Sequence, residues 1–183
     1  MAHRMEEVTF TRDAEVILIP DGYPQVLPEG TRGWVTQVLG GNFTVQLETG
    51  RLVRLAADAA DAIGREASVA HAAFDPEEPV DEDDVWDQLR TCYDPEIPLD
   101  IVEIGLVYGV ELTELEGGGV DVAITMTLTA PGCGMGQVLA DDVQAKVEAL
   151  AGVRQASVEL TFDPPWSPER MSEEGRLELG MFW

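Results

Sequence analysis

The sequence predicts an α+β protein: a C-terminal αββαβ domain with helices on one face of a small mixed sheet, preceded by a small all-β domain folded as an antiparallel meander or barrel. Three observations lead there. Apolar residues from Val8 to Leu55 fall in short alternating runs separated by Gly and Pro turns. From Asp81 onward the hydrophobic period switches in the order helix, strand, strand, helix, strand. Between them, residues 65–80 lose periodicity and hold Asp75-Pro76-Glu77-Glu78-Pro79, an extended, solvated combination. The expected division is therefore a β-rich domain over 1–64, an acidic Pro-containing linker over 65–80 and an αββαβ domain with a C-terminal tail over 81–183.

In the first part, Glu15 to Ile19, Trp34 to Leu39, Phe43 to Leu47 and Leu52 to Leu55 read as strands of about five residues. Pro20-Asp21-Gly22, Pro28-Glu29-Gly30, Gly40-Gly41-Asn42 and Thr49-Gly50 supply the turns. Ala56 to Ile63 reads as a short closing helix with Gly64 as its end signal.

In the second part, Asp81 and Asp84 precede Val85, Leu89 and Cys92 at helical spacing, an acid-capped helix that ends before Pro95. Val107 to Leu112 reads as a strand, followed by a hairpin turn at Glu116 to Gly119. Strict alternation then sets Val120, Val122, Ile124, Met126 and Leu128 against Asp121, Ala123, Thr125, Thr127 and Thr129. The segment Gln137 to Leu150 carries a helical stripe of Val138, Leu139, Val143, Val147 and Leu150. A last strand places Val158, Leu160 and Phe162 on one side. After the irregular Asp163 to Pro168, Ser172-Glu173-Glu174 marks a capped short helix.

Hydrophobic residues make up 45% of the chain and charged ones 25%, which suffices for a core. The 35 acidic and 11 basic residues leave a formal net charge of −24, which argues against nucleic acid and anionic membranes as partners. Residues 1–80 hold 6 basic and 13 acidic residues and 81–183 hold 5 and 22, so the second part carries 17 of the 24 net negative charges. No apolar run approaches the roughly 20 residues that span a bilayer, and Met1 to Arg12 does not read as a secretory signal. The expected address is the cytoplasm.

Cys92 and Cys133 are too few for a disulfide framework and lack the paired spacing of a zinc site. Cys92 lies on the buried stripe of its helix. Cys133 sits in Ala130-Pro131-Gly132-Cys133-Gly134-Met135-Gly136, between a strand and a helix, where three glycines leave the thiol little cover. Unpaired backbone N–H groups at such a helix start favour thiolate over thiol, the setting of a metal ligand or nucleophile; the competing reading is a buried small hydrophobe. The glycine spacing matches neither a P-loop nor GxGxxG, so phosphate binding is set aside. Asp94-Pro95-Glu96 supplies two carboxylates that are either hard ligands to iron or a backbone-bonded turn. Trp166, among Pro164, Pro165 and Pro168, is either a packed lid or an anchor for a partner.

Taken in order, Asp94-Pro95-Glu96-Ile97-Pro98, Ile101 to Tyr108, Met126-Thr127-Leu128-Thr129, Pro131-Gly132-Cys133, Val158 to Phe162 and Asp163-Pro164-Pro165-Trp166 resemble the pattern of the metal–sulfur cluster assembly family. That family includes the bacterial SufT proteins, the phenylacetate-degradation factor PaaD and the eukaryotic cytosolic iron–sulfur targeting factor. The N-terminal part and the ending Trp166 to Ser172 look most like the SufT branch, in which the resemblance covers nearly the whole chain.

The resemblance implies a non-enzymatic iron–sulfur maturation factor that receives, bridges or transfers cluster species through Cys133. A [2Fe–2S] cluster commonly takes four protein ligands, and Cys133 supplies one per chain. Two chains facing each other supply two, with Asp94, Glu96 or an external thiol filling the rest, and a symmetric dimer is the simplest geometry for this. The expectation is a labile cluster shared between chains, or none in the isolated protein. The expected partners are scaffold or carrier proteins and client apoproteins, contacted through Trp166 and Met135. An adaptor that links clients to the assembly machinery and a thiol redox protein are the alternatives; the latter lacks a resolving thiol and a nearby histidine base.

Overall fold

A computed structural model describes residues 5–67, 73–94, 97–132 and 134–181. The chain separates into two compact units, one drawn from residues 1–69 together with Gly134 and Met135 and the other from residues 70–132 and 136–183.

The first unit is a six-stranded antiparallel sheet of β1 (Glu6–Thr9), β2 (Ala14–Ile19), β3 (Pro24–Leu27), β4 (Arg32–Leu39), β5 (Asn42–Leu47) and β6 (Leu52–Leu55). Its order is β1-β4-β5-β6-β2-β3. Strands β4, β5 and β6 form the expected meander. The β4–β5 connection is the two residues Gly40 and Gly41, at φ 55° and 84°, between the paired Leu39 and Asn42. Two positive φ values in succession match the twist of a hairpin and fall naturally to glycine. The sequence reading omits β1 and β3; each is only four residues long and lies at a sheet edge, where periodicity is hard to see. Pro24 is tolerated in β3 because the edge has a side with no ladder to complete.

Alternation along β5 buries Phe43, Val45 and Leu47 while Asn42, Thr44 and Gln46 stay half-exposed. These join Phe10, Val16, Val53 and Leu55 in one core. The closing helix over Ala57–Ile63 is a 3-10 helix, ended by Gly64 at φ 72°.

In the second unit, α1 (Glu82–Leu89) starts in a reciprocal capping box: Asp84 N donates to Asp81 Oδ1 at 3.0 Å and Asp81 N to Asp84 Oδ2 at 2.9 Å. Strand β7 (Val107–Glu114) pairs antiparallel with β8 (Val120–Met126). Helix α2 (Gly136–Glu148) crosses over to β9 (Val153–Leu160), which runs parallel to β8, as such a connection requires. The sheet is therefore mixed, with β8 central. Val120, Val122, Ile124 and Met126 of β8 are buried, Ala123 is exposed, and Asp121 and Thr125 are half-buried. The stripe of α2 buries Leu139, Ala140, Val143 and Val147. Ser172 Oγ accepts from Gly175 N at 2.8 Å and so caps α3 (Glu173–Glu178), as its sequence indicates.

Of the expected linker, residues 68–72 lie outside the described residues. Residues 73–79 are exposed, yet Asp75 N donates to Ala151 O at 2.7 Å, so this stretch is tied to the second unit. No helix among the described residues is long and apolar enough to cross a membrane.

The two faces of β8 differ enough to be separated by mutation. Ile124→Ala is expected to destabilise the second unit by about 2–5 kcal/mol in urea unfolding, and Ala123→Ser to stay within about 0.5 kcal/mol of the parent.

Candidate functional site

Three segments leave the same end of the mixed sheet. Val107 at the start of β7 and Leu160 at the end of β9 both pair with Met126 at the end of β8. Just beyond, Thr127 N donates to Leu106 O and Thr161 N to Met126 O, each at 2.8 Å. The segment entering β7, the loop leaving β8 and the tail following β9 thus begin side by side, with the loop and tail at the carboxyl ends of two parallel strands. Open α/β sheets commonly place ligands there.

The first segment is held from within. Cys92 N donates to Leu89 O at 3.0 Å and continues α1; Ile101 N donates back to Cys92 O at 2.9 Å, and Tyr93 bridges Asp100. Leu99, Ile101, Ile104 and Leu106 are buried. Asp100 Oδ1 accepts from Val102 N and Glu103 N, both at 2.9 Å. Desolvation nevertheless raises the Asp100 carboxyl above the usual range, with a smaller push from Glu103, and the two backbone N–H groups and Arg90 oppose it. Lys146, the chain's only lysine, donates to Thr91 O at 2.6 Å and sits 3.2 Å from Asp142, fastening α2 to the end of α1.

Of the residues singled out in the sequence, Asp94 is buried, at 6% exposed. Pro95 and Glu96 lie outside the described residues, as does Cys133. Its neighbour Gly134 is exposed. Cys92 is fully buried, with its Sγ 3.8 Å from Gln88 O, in keeping with its place on the helical stripe. Met135 is 2% exposed and offers a partner little area as it stands. Trp166 is half-buried, and its Nε1 donates to Ile104 O at 2.9 Å. Among the described residues no three His, Cys, Asp or Glu side chains converge as metal ligands.

The tail forms a strap that the sequence does not disclose. Tyr108 OH donates to Pro164 O at 2.8 Å, and the Arg170 guanidinium lies 3.9 Å over the Tyr108 ring. Ser172 N donates to Glu103 O at 2.9 Å while the Ser172 hydroxyl bonds the Glu103 carboxylate. Gly105, at φ 75°, faces the Arg170 carbonyl so closely that a Cβ would collide with it. These partners stand about sixty residues apart in the chain. The only trace of the strap in the sequence is the rigid Pro164-Pro165-Trp166-Ser167-Pro168.

Residues 82–160 match a family described as iron–sulfur cluster assembly protein. An Fe–S protein maturation auxiliary factor of Porphyromonas gingivalis is 46% identical over 99 residues, 54% of this chain and 90% of that protein. The Fe–S protein maturation auxiliary factor SufT of Staphylococcus aureus is 35% identical over 88 residues, 48% of this chain and 96% of that one. A solved hypothetical protein of Thermotoga maritima shares 38% identity over 57% of this chain and 98% of its own, with a TM-score of 0.49. These matches take in nearly all of each relative but about half of this chain, less than the near-complete extent the SufT resemblance implies. Residues 5–67 fall outside the family match.

Two outcomes test the loop and the strap. In the native state Asp100 holds its proton more tightly than in the unfolded chain. Its contribution to stability is therefore present at low pH and lost as pH rises through its folded pKa. Asp100→Asn keeps the acceptor for Val102 N and Glu103 N, so its stability relative to the parent should rise between about pH 3 and pH 7, read by thermal unfolding. Trp166→Phe keeps the ring but drops the bond to Ile104 O, and should cost about 1 kcal/mol in urea unfolding.

Proposed function

The chain belongs to the iron–sulfur cluster assembly protein family, and on that premise we propose that it is a non-enzymatic maturation factor that receives, bridges or hands over iron–sulfur species through Cys133. The observation that carries this reading is the convergence at the end of β8. Thr127, which opens the loop that leads to Cys133, donates to Leu106 O just ahead of β7, and Thr161, which opens the tail that leads to Trp166, donates to Met126 O. Both relatives named above are called maturation auxiliary factors, which supports the same role here.

Donor chemistry shapes how the cargo is held. A cluster commonly demands four ligands, mostly thiolates. Cys92 is buried in the α1 stripe, so each chain brings a single thiolate, that of Cys133. Asp94 and Glu96 would add hard oxygen donors suited to iron. The cargo is then labile and shared, between two copies of this chain or between this chain and a scaffold, carrier or client protein. Handover is ligand exchange: the bond from iron to the Cys133 sulfur breaks as a bond to the recipient's thiolate forms, with no change of oxidation state. Trp166 and Met135 are the contacts proposed for partners; Trp166 is already half exposed, whereas Met135 would have to be uncovered.

Cys133→Ser tests the reading. After anaerobic reconstitution the parent should hold iron and sulfide substoichiometrically and activate an apo [4Fe–4S] client enzyme. The variant should lose the iron and slow activation by about tenfold or more, since serine is a poor ligand to the cluster's soft thiolate sites. Unchanged activation by the variant would make the protein an adaptor, and a four-thiolate cluster stable in the monomer would also overturn the proposal.

A further inference from the structure

We propose that the first unit carries a binding site for a monoanionic carboxylate attached to an apolar group, in the concavity between the segment that follows β3 and the turn between β5 and β6. This cavity, of about 370 Å³, is lined by Leu27 and Leu47 together with Arg32, Arg51, Glu48 and Gln25. Its size is that of a small-molecule or side-chain pocket. Leu27 and Leu47 are 3% and 6% exposed and give it an apolar floor continuous with the core.

Arg32 and Arg51 bring two guanidinium groups to the same concavity. Arg32 Nη1 forms a long ion pair with Glu48 Oε1 at 4.0 Å, beyond hydrogen-bond reach, and the Arg51 side chain makes no hydrogen bond or ion pair to any described residue, its backbone oxygen alone accepting from Leu47 N. In a chain with 35 acidic and 11 basic residues that is a notable omission. Elsewhere in the unit, Arg12 grips Asp61 through two bonds of 2.5 and 2.7 Å, and Arg65 bonds Glu6 at 2.5 Å. Two guanidinium forks lining one concavity, one loosely paired with Glu48 and the other with no side-chain partner among the described residues, suit a carboxylate, which such forks bind in bidentate fashion. The floor favours an apolar group beside that carboxylate over an inorganic anion. Glu48 repels a second negative charge and so selects against phosphate and dicarboxylates. A free organic acid and the C-terminal residue of a peptide both present this chemistry.

Calorimetry on the full chain with N-acetyl-L-leucine, N-acetyl-L-leucinamide, inorganic phosphate and a hexapeptide ending in leucine tests the assignment. N-acetyl-leucine should bind saturably in the millimolar range, with the amide and phosphate about tenfold weaker or worse. Arg51→Ala and Arg32→Ala should each weaken binding by about tenfold, Arg51→Lys by less, and Arg12→Ala not at all. Circular dichroism checks that each variant is folded. Tighter binding of the hexapeptide identifies a peptide terminus as the ligand, and equal binding identifies a free acid. Absence of saturable binding by both carboxylates, equal binding of the amide, or parent-like binding by Arg51→Ala and Arg51→Lys would each overturn the proposal.

Discussion

The second unit depends on β8 being paired on both sides in opposite senses. Its antiparallel ladder to β7 and its parallel ladder to β9 meet at Met126, which is fully buried. An antiparallel neighbour begins where β8 ends, and a parallel neighbour ends there. One strand therefore gathers an incoming segment, an outgoing loop and a tail at a single edge of the sheet. One face of β8 is buried and the other is left to Asp121, Ala123 and Thr125. The rest of the structure stiffens these three segments.

Stiffening comes largely from carboxylates used as backbone acceptors. Asp81 and Asp84 close the start of α1, Asp100 holds Val102 and Glu103, Asp75 accepts from Glu77 N, and Glu148 accepts from Ala156 N at 3.0 Å. Acids at helix starts also oppose the dipole favourably. A net charge of −24 is thus partly structural. The exposed ion pairs, such as Arg154 with Asp121 at 2.5 Å, add little by comparison, because solvent and salt screen them. Scarce cations go to places where backbone carbonyls or rings need them: Lys146 to Thr91 O, Arg170 to the face of Tyr108.

Much of what depends on neighbours within about four residues was legible in the sequence, the four-residue edge strands β1 and β3 and the Asp100 turn excepted. The alternation of Val120 to Met126, the stripe of α2, the Asp81–Asp84 box, the Ser172 cap and the burial of Cys92 all follow from periodicity or capping chemistry, which act at one or two turns' distance. The family pattern was legible for a related reason: its segments follow one another in fixed order along residues 94–166.

Tertiary structure alone decided what joins residues far apart. The place of the β2–β3 hairpin beside β6, the strap of Trp166, Tyr108, Arg170 and Ser172 over residues 103–108, and the placing of Arg32 and Arg51 around one cavity leave no local periodic trace. The physical reason is that a single hydrogen bond or cation–ring contact between segments some sixty residues apart constrains only its two ends. Burial by contrast writes a repeat into every second or fourth residue of an element. The sequence by itself determined the longer strands and the helices and which face of each is apolar, and missed the short edge strands β1 and β3. Only the folded chain decided which strand ends coincide.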